Sequence, residues 1–204
     1  MGLLNNTSVY LSGPVELDNN CISWREEFTK FLNKIGVDVW DPLIKPDWMP
    51  IQTVGPDAQN NIKNMLLDND SRKYCYNTII RNMGLRLAYA CDWMICVLKK
   101  DIFTAGTFEE LSVASKCGKP ILLLTPDYKI LSMWLIDQII GDDINYRDQY
   151  VFDNKEKLLN HIIKIDDGII ELDPLKWIFL SYTNKFKYRH DWCDKFTKFD
   201  MIGE

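Results

Sequence analysis

The stretch that decides the fold is residues 91–125, CDWMICVLKKDIFTAGTFEELSVASKCGKPILLLT. Trp93 to Leu98 is a near-continuous apolar run, the pattern of a strand covered on both faces, and Pro120 to Thr125 repeats it. A polar loop and a helix over residues 108–117 lie between them, which predicts two parallel strands joined by a crossover helix. Glu109 and Glu110 then fall in the helix's first turn, where the positive end of the backbone dipole keeps a carboxylate ionised. Such a carboxylate serves either as a cap or as a nucleophile. Thr107 with Glu110 three residues on spells a capping box, in which each side chain satisfies the other's backbone N–H. Glu109 points about 100° away around the helix, toward solvent or a surface ion pair.

Working outward, Ser8 to Ser12 is a short β-rich run stopped by Gly13-Pro14. From Asp18 to Ile35 the residues Ile22, Trp24, Phe28, Phe31, Leu32 and Ile35 keep mostly to helical spacing. Gly36 supplies the C-cap and Val37 to Trp40 reads as a strand. Residues 41–56 hold Pro42, Pro46, Pro50 and Pro56. A loop of that length in a compact domain is usually functional or disordered. Residues 57–68 and 77–90 read as helices. Beyond the central stretch come an amphipathic helix over Leu131–Ile140, an edge strand at Tyr150–Phe152 and a last helix over Asn154–Ile165. Strands alternating with helices predict an α/β domain over residues 1–165 with a central, mostly parallel five-stranded sheet.

Residues 166–204 differ in character, with aromatics such as Trp177, Phe179, Tyr182, Phe186 and Trp192 among lysines and arginines. They read either as a stacking platform for single-stranded nucleic acid or as an arm packing on the domain or a neighbouring subunit. The net charge of −5 favours the arm and argues against a nucleic-acid polymer as partner. Six cysteines without a CxxC pair, and only two histidines, read as reduced thiols with no zinc site. With no run near ~20 apolar residues, no membrane span is expected, and the protein is expected to be cytoplasmic.

In an open parallel sheet, ligands bind outside the carboxyl ends of the strands. Attention therefore falls on Leu11-Ser12-Gly13-Pro14, on Leu98 to Phe108 and on Thr125 to Ser132, with Gly13 and Gly106 allowing close backbone approach to a ligand. VYLSGP near the start, Asp92 at a strand head, TAGTFEELSVA and GKPILLLTPD occur in that order. Together they resemble the nucleoside 2-deoxyribosyltransferase superfamily, including its 2'-deoxynucleoside 5'-phosphate N-hydrolases. The resemblance covers most of residues 8–165, without the proline-rich loop and the C-terminal aromatic-rich arm, and implies a flavodoxin-like three-layer sandwich. It also implies cleavage of the N-glycosidic bond of a deoxynucleoside or deoxynucleotide, with transfer to another base or to water.

On this resemblance the nucleophile is Glu110, within the family's G-x-x-x-E-L-x-x-A element at Gly106, Glu110, Leu111 and Ala114. Tyr10 is the first-strand residue that hydrogen-bonds it. Ser12, Gly13 and Thr104 line the sugar or phosphate side, and Pro14 and Gly106 also belong to the substrate-binding set. Asp92 either touches ligand or serves as a structural hydrogen-bond acceptor, Ser132 either reaches into a neighbour's site or is a helix N-cap, and Trp48 of the proline-rich loop covers the base. No metal or organic cofactor is implied, and a homodimer or higher homo-oligomer is. The family's acidic residue eight positions before the strand-start Asp falls on Gly84, and the hydrolases' basic residue after the first turn falls on Glu16. The vacancy at Gly84 motivates a rival expectation, a non-catalytic nucleotide sensor on the same scaffold.

Overall fold

The computed structural model describes residues 2–15, 18, 20–44, 71–100, 102, 104–126, 131–140 and 149–182, with the backbone alone for 71–80, 181 and 182. Five strands, β1 (Ser8–Ser12), β2 (Asp38–Trp40), β3 (Trp93–Val97), β4 (Ile121–Leu124) and β5 (Val151–Phe152), form one sheet in the order β2-β1-β3-β4-β5. Every neighbouring pair is parallel. All of β3 is buried, which is why its sequence is apolar on both faces. This strand order is flavodoxin-like.

Parallel strands require crossovers. They are made by α1 (Cys21–Lys34), α2 (Ser71–Ala90), α3 (Ala105–Lys116) and α4 (Met133–Ile140), and α5 (Lys155–Asp166) follows β5. Lys155 Nζ lies 2.6 Å from Glu27, tying α5 to α1 on one face. Right-handed crossovers put α2, α3 and α4 on the other. There Ser115 Oγ donates to the Gln138 carbonyl at 2.7 Å, and Arg81 Nε donates to Glu109 at 2.8 Å. Phe28 and Leu32 of α1, Leu111 and Ala114 of α3, and Leu158, Ile162 and Ile165 of α5 close the core against the sheet. From the centre of the sheet, β1 leads by α1 to β2 on one side and β3 leads by α3 to β4 on the other. The crevice of this topology opens between the carboxyl ends of β1 and β3.

Two expectations change. Helix α3 begins at Ala105, three residues earlier than its apolar pattern suggests, because Thr104 takes the N-cap in extended conformation (φ −133°, ψ 92°). Phe108 N–H then closes the first turn on the Thr104 carbonyl at 3.2 Å. Glu110 therefore sits in the second turn and Thr107 inside the helix, so the two do not form a capping box. Helix α2 runs back to Ser71 rather than starting at 77. The expected helix at 57–68 and most of the proline-rich loop lie outside the described residues.

The segment after α5 is continuous with the core. Leu172, Trp177 and Leu180 are buried, and the Trp177 ring lies 6.1 Å from that of Trp93. Lys176 Nζ donates to the Ile139 carbonyl and, at 2.9 Å, to that of Ile140, and it stands 4.5 Å from the centre of the Tyr150 ring. A cation at the C-terminus of α4 meets the negative end of that helix. Residues 183–204, with Phe186 and Trp192, lie outside the described residues.

Candidate active site

Side chains two apart on a strand share a face, so Tyr10 and Ser12 of β1 both point toward the α2–α3 layer. Glu110, half-buried on α3, meets them there. The Tyr10 phenol donates to Glu110 Oε1 at 2.7 Å, and the Ser12 hydroxyl donates to Oε2 at 2.5 Å. Tyr10 and Ser12 are fully buried. Each carboxylate oxygen thus accepts a short charge-assisted bond from a rigid strand. Burial first, then the charge and hydrogen bond of Glu110, push the Tyr10 phenol well above its ordinary range, so it stays a proton donor.

Gly84 of α2 forms the wall beside the carboxylate. A Cβ built there would stand 2.8 Å from Glu110 Oε1 and 3.4 Å from the Tyr10 phenol oxygen. Its backbone φ is not positive, so the conformation itself does not require glycine. A glycine inside a helix costs about 1 kcal/mol relative to alanine.

The turn after β1 is held from beneath. Arg25 of α1 has no exposed surface and donates from Nη2 to the Gly13 carbonyl at 2.9 Å and from Nη1 to the carbonyls of Cys21 at 2.7 Å and Pro14 at 3.3 Å. Its Nε lies 3.6 Å from Asp41 Oδ1, and its guanidinium stands 4.2 Å from the centre of the Trp24 ring. Burial pushes the Arg25 pKa down while the Asp41 charge opposes that shift. Gly13 is wedged between elements: a Cβ there would lie 2.9 Å from Trp24 Cζ2 and 3.2 Å from the Val97 carbonyl. Packing therefore accounts for this glycine without a ligand. Beside it, Asp18 pairs with Lys99 at 2.6 Å, joining the lead-in of α1 to the end of β3.

Of the residues singled out in the sequence, the structure brings Tyr10, Ser12 and Glu110 together, with Gly13 and Pro14 in the adjoining turn. Thr104 takes the N-cap position of α3 six residues before Glu110, and its hydroxyl is buried with no hydrogen-bond partner among the described residues. Gly106 is exposed, with open space where a Cβ would project. Ser132, also exposed, accepts from Leu135 N–H at 3.2 Å and so caps α4. Asp92 stands apart. Its Oδ2 accepts from Ser8 N–H at 2.6 Å and Ser8 Oγ at 2.9 Å, at the amino end of β1. Ser8 precedes Ser12 by four residues, about 13 Å of strand, so Asp92 braces the opposite end of the strands. Trp48 lies outside the described residues. Glu109 makes the surface pair with Arg81.

Among the cysteines, burial drives the Cys96 thiol far up, with the Glu110 charge adding to it, and pushes Cys91 up to about 11, so neither is a ready nucleophile. Among the described residues no cluster of three His, Cys, Asp or Glu is placed to hold a metal ion, and no helix is long and apolar enough to cross a membrane.

No protein-family model matches the chain. The structure is similar to a 2-deoxyribosyltransferase from Bacillus psychrosaccharolyticus at TM-score 0.48 and 15% identity, covering 75% of this chain and 90% of that one. It is also similar to a 2-deoxyribosyltransferase from Leishmania mexicana at TM-score 0.48 and 19% identity, covering 78% and 97%. A CMP N-glycosidase from Clostridium botulinum matches at TM-score 0.41 and 16% identity, covering 76% and 97%. In sequence the chain is 26% identical over 189 residues to a TnP I resolvase from Bacillus thuringiensis, a match over 86% of this chain. It spans 61% of the length of that curated relative.

Proposed function

We propose that the protein breaks the N-glycosidic bond of a 2'-deoxynucleoside or deoxynucleotide, with Glu110 as nucleophile, and passes the sugar to another base. The observation that carries this reading is the Glu110 carboxylate, gripped by Tyr10 at 2.7 Å and Ser12 at 2.5 Å beside the crevice of a parallel sheet. Two hydroxyl donors fix its direction and disperse its charge, and both hydroxyls come from residues that cannot move without disturbing the sheet.

In the first step a Glu110 oxygen bonds to the anomeric carbon as the carbon–nitrogen bond breaks through an oxocarbenium-like transition state. The bonding pair leaves with the base nitrogen, which takes up a proton from solvent. In the second step a base nitrogen attacks the same carbon from the vacated face, the ester bond returns its electrons to Glu110, and the attacking nitrogen loses its proton. Two displacements leave the configuration at that carbon retained. Transfer to water by the same route is the alternative product outcome. Tyr10 and Ser12 orient the nucleophile, and Thr104 and the Gly13–Pro14 turn line the sugar or phosphate side.

The test is incubation with each of the four common deoxynucleosides and their 5'-monophosphates, with and without an acceptor base, followed by chromatography. Released or exchanged base from the wild type, lost in Glu110→Gln, is the expected result. Tight binding of a deoxynucleotide by calorimetry with no base released would replace this reading with the sensor.

A further inference from the structure

We propose that Gly84 is a positioning residue of this site: the bare α-carbon of α2 leaves the room that lets the Glu110 carboxylate sit on Tyr10 and Ser12. The interior of a helix is a poor place for glycine, and this one has no positive φ to justify it. A close helix–helix crossing would explain it if a Cβ met the backbone of α3. The nearest atoms to such a Cβ are instead Glu110 Oε1 at 2.8 Å, the Tyr10 phenol oxygen at 3.4 Å and Glu110 Cδ at 3.8 Å. These are the two ends of the hydrogen bond that orients the nucleophile.

Real Cβ atoms essentially never come within 3.0 Å of a neighbour, so a methyl group at position 84 must push Oε1 away. Tyr10 is fully buried on β1, the strand beside the central β3, and does not follow it. The carboxylate on its longer, half-buried side chain gives way, and the pair opens. It follows that position 84 contributes shape to the site rather than a proton: a carboxylic acid there would occupy the space of the one it is meant to assist. For catalysis this inference rests on the glycosidic reading; the steric claim is independent of it.

The experiment is a stability and activity cycle with Gly84→Ala, Glu110→Ala and the double variant. With Glu110 present, the helix-favouring alanine fails to raise the thermal midpoint. With Glu110 already truncated, the closest obstruction is gone, and Gly84→Ala raises the midpoint by about 2–4 °C. This opposition in sign is the readout that general helix packing would not give. In the base-release assay, run with the best of the common deoxynucleosides or monophosphates, Gly84→Ala lowers kcat by about 10-fold with KM little changed, since a shift of a few tenths of an ångström is smaller than the ~1 Å misplacement that costs about 10²-fold. In a Tyr10→Phe background it costs far less, since the bond it disturbs is already absent.

An equal rise in midpoint in both backgrounds overturns the proposal, as does full activity of Gly84→Ala. If the wild type releases no base, the glycosidic reading fails by itself and the midpoint cycle alone decides the role of Gly84. If Gly84→Ala alone does not fold, recovery of folding in the double variant supports the steric claim, and no recovery overturns it.

Discussion

Removing one oxygen atom from Tyr10 isolates the chemistry of the site from its packing. Tyr10→Phe keeps a fully buried aromatic ring on β1 and deletes only the donor that meets Glu110 Oε1 at 2.7 Å. A hydrogen bond to a charged group contributes about 1.5–3 kcal/mol, and here the remaining donor, Ser12, holds the other oxygen. If that energy orients the carboxylate for attack, the barrier rises by a similar amount, which is about a 10- to 150-fold fall in kcat. KM should change little, because the phenol touches the nucleophile rather than the substrate. Steady-state kinetics on base release, with thermal unfolding as a control on folding, makes the measurement. Wild-type kcat in a folded Tyr10→Phe variant would refute the claim that this bond serves catalysis. A raised KM at unchanged kcat would refute the assignment of Tyr10 to the nucleophile.

Other outcomes follow from packing and burial. Arg25→Leu removes the cation beside Asp41 and the donors to the carbonyls of Gly13 and Pro14, so urea denaturation should show a loss of about 3–5 kcal/mol, as when one partner of a buried ion pair is removed. Trp177→Ala should cost a similar 3–5 kcal/mol by the same method, because the ring is buried against Trp93. A near-neutral result would mean that the segment after α5 is dispensable for folding. Burial holds His161 down at about 4 from an ordinary 6.5, with the Lys164 charge adding to the shift. The unfolded chain therefore takes up this proton first as the pH drops. The stabilising contribution is complete above pH ~6.5 and fades toward pH ~4, with a slope of at most ~1.4 kcal/mol per unit. His161→Phe should flatten that part of the stability–pH curve, and an unchanged slope would assign it elsewhere.

The sheet was legible because buried parallel strands leave unbroken apolar runs, and Trp93–Leu98 and Pro120–Thr125 are such runs. The start of α3 was less so. Its apolar pattern begins at Phe108, whereas the hydrogen bonding begins one turn earlier at Thr104, and that displacement turned an apparent capping box into a carboxylate held by Tyr10 and Ser12. The partnership of Ser12 with Glu110 was available from strand alternation, since residues 10 and 12 share a face. Gly84 and Arg25 were not available in the same way. One matters through a side chain it lacks, the other through carbonyls that only the folded turn presents. The partner of Asp92 was not legible, because a strand-head acid reads alike whether it faces a ligand or meets the neighbouring strand, as it does here through its bonds to Ser8.

The most direct test of the central claim is a search for the glycosyl–enzyme bond itself. The wild type is mixed with a deoxynucleoside it cleaves, quenched in acid within the first turnover, digested and mapped by mass spectrometry. A deoxyribosyl adduct on the peptide containing Glu110, absent from Glu110→Gln, is the predicted result. An adduct on another residue, or undiminished base release by Glu110→Gln, would contradict it.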